Sequence, residues 1–295
     1  MLGHTGFIGR ALKGCVQTVM PSFEAYGHSF EQGDLTLPSV PASLASDFSA
    51  DTTLIILAAI KRQLGDAVDA FELNMRIIHN ICRAIRRRPI QRIVFVSSAA
   101  VYGEDVQHDV ITEETPLCPR TYYGLAKFNA EWLLREVVEA GGAKSLCIIR
   151  PPTIYGPGDT SLSYGVPLFI DKTLKNESIV FWGDGSELRE FVFIDDAARA
   201  IASIAASNFE GVVNLASGVS HTFQDGLDFV REAAGVELSV ESRPRSKEKV
   251  DHRFDNSCFR NILPHFAFTP LRDGVEKLYE SAQIQGRNRN EAAAK

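Results

Sequence analysis

Short, continuously apolar runs alternate along this chain with longer stretches whose apolar positions recur at helical spacing. Thr53-Leu54-Ile55-Ile56-Leu57-Ala58-Ala59 is one such run. Its length and β-branched content predict a strand buried on both faces of a parallel sheet. Ile93-Val94-Phe95-Val96 and Leu146-Cys147-Ile148-Ile149-Arg150 repeat the pattern. Between the first two, from Asp66 to Arg86, the residues Phe71, Met75, Ile78, Ile81, Cys82 and Ile85 fall on one helical face. A second helix is predicted from Tyr122 to Ala140, and a third running through Ala206 with Asp195-Asp196 as its cap. Val212-Val213-Asn214-Leu215-Ala216 predicts a last strand returning to the sheet. Strands and helices that alternate in this way build a doubly wound α/β fold on a parallel sheet.

The start of the chain fits that pattern with one defect. Phe7, Ile8, Ala11, Leu12 and Val16 predict a helix, and Gly3, Gly6 and Gly9 lead into it at intervals of three. Glycines there let the backbone approach a pyrophosphate, and the helix N-terminus supplies N–H groups and a positive dipole end. Such a loop follows a buried strand, yet only Met1 and Leu2 precede Gly3. A shortened first strand is expected; a chain start set downstream of the native one, or another segment in that slot, are the alternatives. Phe23-Glu24-Ala25-Tyr26 predicts a second strand. Its end, Gly27-His28-Ser29-Phe30, has neither the acidic residue that holds ribose hydroxyls nor a basic one that meets a 2′-phosphate, so NAD and NADP both stay open.

Other residues near the predicted strand ends are candidates. Asp34, followed by Leu35, either accepts a hydrogen bond from an adenine amino group or is an ordinary turn aspartate. From Leu35 to Ala50 the sequence is Pro- and Ser-rich and only loosely periodic. Ala58 and Ala59 are small enough to leave room for a dinucleotide. Asn74 lies beside the apolar helix face, either as a buried hydrogen-bonding residue near the site or exposed to solvent.

The 295 residues are 45% hydrophobic and 23% charged, with a net charge of -6, as in a globular protein with a sizeable core. Nucleic acid is not expected as a partner, because phosphate backbones demand a basic footprint. Arg86-Arg87-Arg88 ends a helix and complements its dipole. No apolar run reaches the roughly 18–20 residues of a membrane span, and nothing at the start reads as a signal peptide. Cys15, Cys82, Cys118, Cys147 and Cys258 are scattered and form no Cys-x-x-Cys. That predicts reduced thiols in a cytoplasmic protein, with no disulfide framework and no structural metal.

Two features then suggest chemistry. Tyr123 and Lys127 stand four apart on a helix and so share a face. A phenol titrates near ~10, and a cation beside it favours the phenolate. The pair is therefore either a proton-transfer device or one of the Tyr and Lys pairs that helices carry four apart by chance. Ser98 follows the strand Ile93–Val96, at the carboxyl end where ligands of open α/β sheets sit; elsewhere such a serine is a cap or turn residue.

Five patterns occur in one order: the glycine triplet, Ser97-Ser98-Ala99-Ala100-Val101-Tyr102-Gly103, Tyr123-x-x-x-Lys127, Arg150-Pro151-Pro152-x-x-Tyr155-Gly156-Pro157-Gly158, and Gly183-Asp184-Gly185-x-x-x-Arg189-x-Phe191-Val192. Together they resemble the extended short-chain dehydrogenase/reductase family, the nucleotide-sugar epimerases and dehydratases, from Leu2 to Tyr279. The resemblance implies a Rossmann-like doubly wound sheet over residues 1–158, rejoined by 192–217. It implies a smaller substrate lobe from 159–191 and 218–285, and a homodimer through the helices Asp66–Arg86 and Tyr122–Ala140. Residues 286–295 end in Glu291-Ala292-Ala293-Ala294-Lys295, a designed helical spacer unit, and are set aside as an added tail.

By the same resemblance NAD, or alternatively NADP, is held by Gly3, Gly6, Phe7, Ile8, Gly9, Asp34, Leu35, Ala58, Ala59, Asn74, Tyr123 and Lys127. Ser98 would hydrogen-bond the sugar oxygen being oxidised, and Tyr123, as phenolate, would take its proton. Lys127 would lower the tyrosine pKa and bind the nicotinamide ribose. Thr153, Arg189 and Arg245 would join Ser98 on a nucleotide-diphosphate sugar, since guanidinium forks suit phosphates. The 4,6-dehydratases of the family carry Asp-Glu where this chain has Ala99 and Ala100. Alanine moves no proton, so dehydration is rejected, and decarboxylation with it. That leaves 4-epimerisation through a 4-keto intermediate. The alternatives are reduction of a 4-keto sugar by NAD(P)H and a dinucleotide-binding relative without chemistry. Thr153 stands where the 4-epimerases often have asparagine.

Overall fold

In the computed structural model, residues 1–22, 24–27, 33–60, 65–159, 165–245 and 248–293 are described. The glycine turn leads into α1 (Phe7–Val19). α2 (Val40–Ser46) lies in the Pro- and Ser-rich stretch where no element was expected; its Pro41 sits in the first turn, where a helix needs no N–H. The alternation then runs β1 (Thr53–Ile56), α3 (Val68–Arg87), β2 (Ile90–Val96), α4 (Tyr122–Glu139) and β3 (Ala143–Arg150). Next come β4 (Thr153–Tyr155), α5 (Val166–Leu174), β5 (Ile179–Trp182), β6 (Leu188–Arg189) and β7 (Phe191–Phe193). The chain continues through α6 (Ile194–Ala206), β8 (Gly211–Asn214), β9 (His221–Thr222), α7 (Phe223–Ala234), β10 (Val240–Arg243), α8 (Ser257–Ile262) and α9 (Leu271–Ala293).

The main sheet is parallel throughout, in the order β1-β2-β3-β8. Each of its crossovers carries a helix, as parallel neighbours require. Side chains alternate between its faces. Leu54, Ile56, Ile93 and Phe95 pack under α2, α3 and α4, while Ile55, Val94 and Val96 pack under α1 and α6. A third core gathers Tyr155, Phe169, Phe191, Phe193, Phe223, Leu227 and Val275. The remaining strands are short non-local pairs: β4 with β7, β5 with β10, and β6 with β9.

The shortened first strand is a single residue. Leu2 bridges Ile56 on the free edge of β1, donating its N–H to Ile55 O (2.9 Å) and accepting from Leu57 N (3.0 Å). The second strand expected at Phe23–Tyr26 is not formed by the described residues 24–27. One residue offers no ladder for a further strand to pair with; instead the Met1 amino group donates to Tyr26 O (2.6 Å). Phe23 and His28-Ser29-Phe30 lie outside the described residues. Asp195 and Asp196 are not the cap of α6. The helix starts at Ile194, Phe193 is its N-cap, and both acids sit in the first turn, where the dipole favours them. Asp196 is buried, bonded to Arg199 (2.5 Å) and to Thr269 N (2.6 Å).

Candidate active site

The glycine turn is built for close approach. Gly3 has φ +84°, and a Cβ there would lie 2.9 Å from the Ala58 nitrogen; one on Gly9 would lie 2.2 Å from the Gly3 oxygen. Gly6 is the N-cap of α1 and provides no side-chain cap, and the first turn, which begins Phe7-Ile8-Gly9, holds no acidic residue. An anion suits such a helix end. Arg10, missed in the sequence, ties this turn to the loop after β4 by donating to Thr5 O (2.7 Å) and Gly158 O (3.2 Å).

At the carboxyl end of β2 the two serines diverge. Ser97 is buried and donates to Glu131 (2.6 Å). Ser98 accepts from Ala100 N (3.2 Å), capping a short 3-10 turn over Ala99–Val101, and its hydroxyl favours the Tyr123 phenolate. α4 begins hard against that turn: Thr121 Oγ1 accepts from Gly124 N (3.1 Å), and a Cβ on Gly124 would come within 2.6 Å of Ala100 O. Glycine at this position lets the helix approach the turn that follows Ser98. Asp66 Oδ1 accepts from Tyr123 N (3.0 Å).

Lys127 is 5% exposed. Its ammonium donates to Val96 O (2.8 Å) and stands over the Phe95 ring. Burial lowers its pKa to about 8, against the pull of Glu131. Burial also pushes the Tyr123 phenol up to about 12, the Ser98 hydrogen bond opposing it. This corrects the expectation that Lys127 lowers the tyrosine pKa. The ammonium lies 5.8 Å from the centre of the tyrosine ring and bonds a carbonyl instead, so desolvation dominates.

Tyr123 and Lys127 line one cavity together with Ala58, Ala59 and Asn74. Asn74 Oδ1 accepts from Ile60 N (2.7 Å) and its Nδ2 donates to Ile60 O (3.1 Å). It is the hydrogen-bonding residue of the two readings, and it fixes the chain beyond Ala59. Asp34 holds its own turn: its Oδ1 accepts from Thr36 N (2.9 Å) and Thr36 Oγ1 (2.8 Å). Leu35 is buried in the core beneath α3. Neither residue is among those lining the cavity.

Thr153 opens β4, paired with Phe191. Arg189 and Arg245 come together around one carboxylate, Glu187, at 3.3 Å and 3.5 Å. Beneath the site lies a network absent from the sequence reading. Arg150 forks onto Glu131 (2.6 Å and 3.0 Å) and donates to Tyr102 Oη (3.0 Å), which donates to Asn214 Oδ1 (2.7 Å). The signal was available: Arg150 ends an apolar strand, and Glu131 follows Lys127 by one helical turn on the buried side of α4.

The sequence profile of the NAD dependent epimerase/dehydratase family matches residues 1–216. The chain belongs to that family. Among its relatives is a protein of Methanocaldococcus jannaschii named as a candidate UDP-glucose 4-epimerase, 32% identical over 182 residues, which are 60% of this chain and 58% of that one. The chain thus matches little more than half of that relative's length. Two solved structures share the fold. The UDP-glucose 4-epimerase of Thermus thermophilus, complexed with NAD, has a TM-score of 0.78 at 23% identity, covering 96% of this chain and 97% of its own. The dTDP-glucose 4,6-dehydratase of Streptomyces venezuelae, with NAD and TYD bound, has a TM-score of 0.83 at 21% identity, covering 96% of both chains. Fold alone therefore does not separate epimerase from dehydratase. Ala99 and Ala100 form the turn that follows Ser98.

Proposed function

We propose that this protein is an NAD-dependent nucleotide-sugar 4-epimerase working through a transient 4-keto sugar. The observation that carries the reading is that Tyr123 and buried Lys127 line one cavity together, with Ser98 at the adjoining turn and alanines at 99 and 100 in it. The glycine turn fits a pyrophosphate, because a side chain at Gly3 or Gly9 would fill it and α1 opens toward it without an acidic residue. Gly3, Gly6, Phe7, Ile8 and Gly9 would hold that group, and Ala58, Ala59, Asn74 and Lys127 the nicotinamide half. Bound NAD would supply the hydride acceptor and a positive charge beside the phenol.

Ser98 then holds the sugar O4, and Tyr123 takes its proton as the C4 hydride leaves. The ketone turns over, the hydride returns to the opposite face of C4 as Tyr123 gives the proton back to O4, and the opposite configuration results. Thr153 faces the sugar, and Arg189 with Arg245 grips the diphosphate, fixing the pivot about which the sugar rotates. Without a carboxylate at positions 99 and 100, the ketone has no acid–base pair there to eliminate water.

The relative's name makes UDP-hexoses the first substrates to test. The expected result is interconversion of C4 epimers by protein that retains NAD through purification, with no net change in nicotinamide absorbance. Stoichiometric consumption of added NAD(P)H with a 4-keto sugar would replace the epimerase with a reductase. The same reading makes the protein a cytoplasmic homodimer through α3 and α4, which pack together and leave Trp132 exposed. Light scattering that finds only monomer at every concentration would contradict the dimer.

A further inference from the structure

The turn between β5 and β6 sets one carboxylate between two guanidinium groups. Glu187 Oε2 lies 3.3 Å from Arg189 Nη2, and Oε1 lies 3.5 Å from Arg245 Nε. The three side chains are shielded, at 20%, 14% and 24% exposure for Glu187, Arg189 and Arg245. Both arginines have other anchors. Arg189 Nη1 donates to Val250 O (2.6 Å) and Leu188 O (2.8 Å), and its guanidinium lies over the Phe223 ring. Arg245 Nη2 donates to Asp184 Oδ1 (2.5 Å), an oxygen that also accepts from Ser186 N (3.2 Å) and Ser186 Oγ (2.7 Å). Neither guanidinium needs Glu187 to stay where it is.

A carboxylate shared by two guanidinium forks presents the charge and oxygen geometry of a phosphate. The geometry points to Glu187 as an internal competitor that holds the two arginines in place of the substrate's diphosphate and must swing aside when a nucleoside diphosphate binds. The inference rests on the reading of Arg189 and Arg245 as diphosphate contacts. Glu187 and Asp184 together neutralise the pair, so an incoming diphosphate meets no net positive charge while Glu187 remains. Displacing Glu187 exposes the Nη2 of Arg189 and the Nε of Arg245. The competitor therefore weakens binding and hastens release of the nucleotide moiety.

Calorimetric titration of the full chain with UDP, and in parallel with dTDP, tests this. Glu187→Gln keeps the side chain's size and removes its charge; it should bind the tighter of the two nucleotides about fivefold more strongly than the parent. Arg189→Ala and Arg245→Ala should each weaken it about tenfold or more. Asp184→Asn removes an equal charge from an exposed neighbour and should change binding less than Glu187→Gln does. Weaker or unchanged binding by Glu187→Gln, with both arginine variants impaired, would overturn the competitor and leave the site reading intact. Equal gains from Asp184→Asn and Glu187→Gln would reduce the effect to general charge and also overturn it. Arginine variants that bind as the parent does would overturn the site reading and the competitor together.

Discussion

Lys127 is buried, with its ammonium on the Val96 carbonyl and its folded pKa lowered to about 8 from 10.5. Between those two values the unfolded chain binds the proton and the folded chain does not, so stability from this residue rises with pH across the window, by at most about 1.4 kcal/mol per pH unit. Lys127→Met removes that dependence. The stability of the variant relative to the parent should therefore fall as pH rises from 8 toward 10.5, as urea unfolding at several pH values would measure. A constant difference would mean that the lysine keeps its proton in the fold. Tyr123→Phe should retain the fold and NAD while lowering turnover about 10²–10⁴-fold, because only the proton acceptor is lost. At this scale the four-residue spacing made it legible that Tyr123 and Lys127 share a face, and both line one cavity. The direction of the tyrosine shift was not legible, because spacing does not reveal that the ammonium turns to the Val96 carbonyl.

Three elements meet at Glu131, which joins α4 to Arg150 at the end of β3 and to Ser97 just past β2. Glu131 and Arg150 are 0% and 2% exposed. Removing one partner strands the other charge in a dry interior. Glu131→Leu should cost about 3–5 kcal/mol of unfolding free energy, and Glu131→Leu with Arg150→Met should recover most of it. A double variant no more stable than Glu131→Leu would show that the pair is needed for more than mutual neutralisation. The long elements were legible because each buries a continuous apolar run or a helical stripe. The two- to four-residue strands outside the main sheet pair with partners far along the chain, and such short segments carry no period of their own. α2 was hidden by its proline and serines, residues that also signal loops.

For the molecule as a whole, the sheet brings the glycine turn and Ser98 to its carboxyl edge, and Arg189 and Arg245 meet at Glu187. NAD at a hundredfold excess over its dissociation constant should stabilise the protein by about 2.7 kcal/mol, read as a rise in Tm. Gly9→Ala should abolish that rise, since its Cβ would fall 2.2 Å from the Gly3 oxygen. An undiminished rise would remove the glycine turn from the cofactor site. The central claim is that hydride leaves C4 of a nucleotide sugar and returns to C4. A UDP-hexose deuterated at C4, incubated with the protein and followed by proton NMR, tests it most directly. The prediction is the C4 epimer with deuterium kept at C4 and no turnover by Tyr123→Phe. Loss of the label from C4, or a dehydrated 4-keto product, would contradict it.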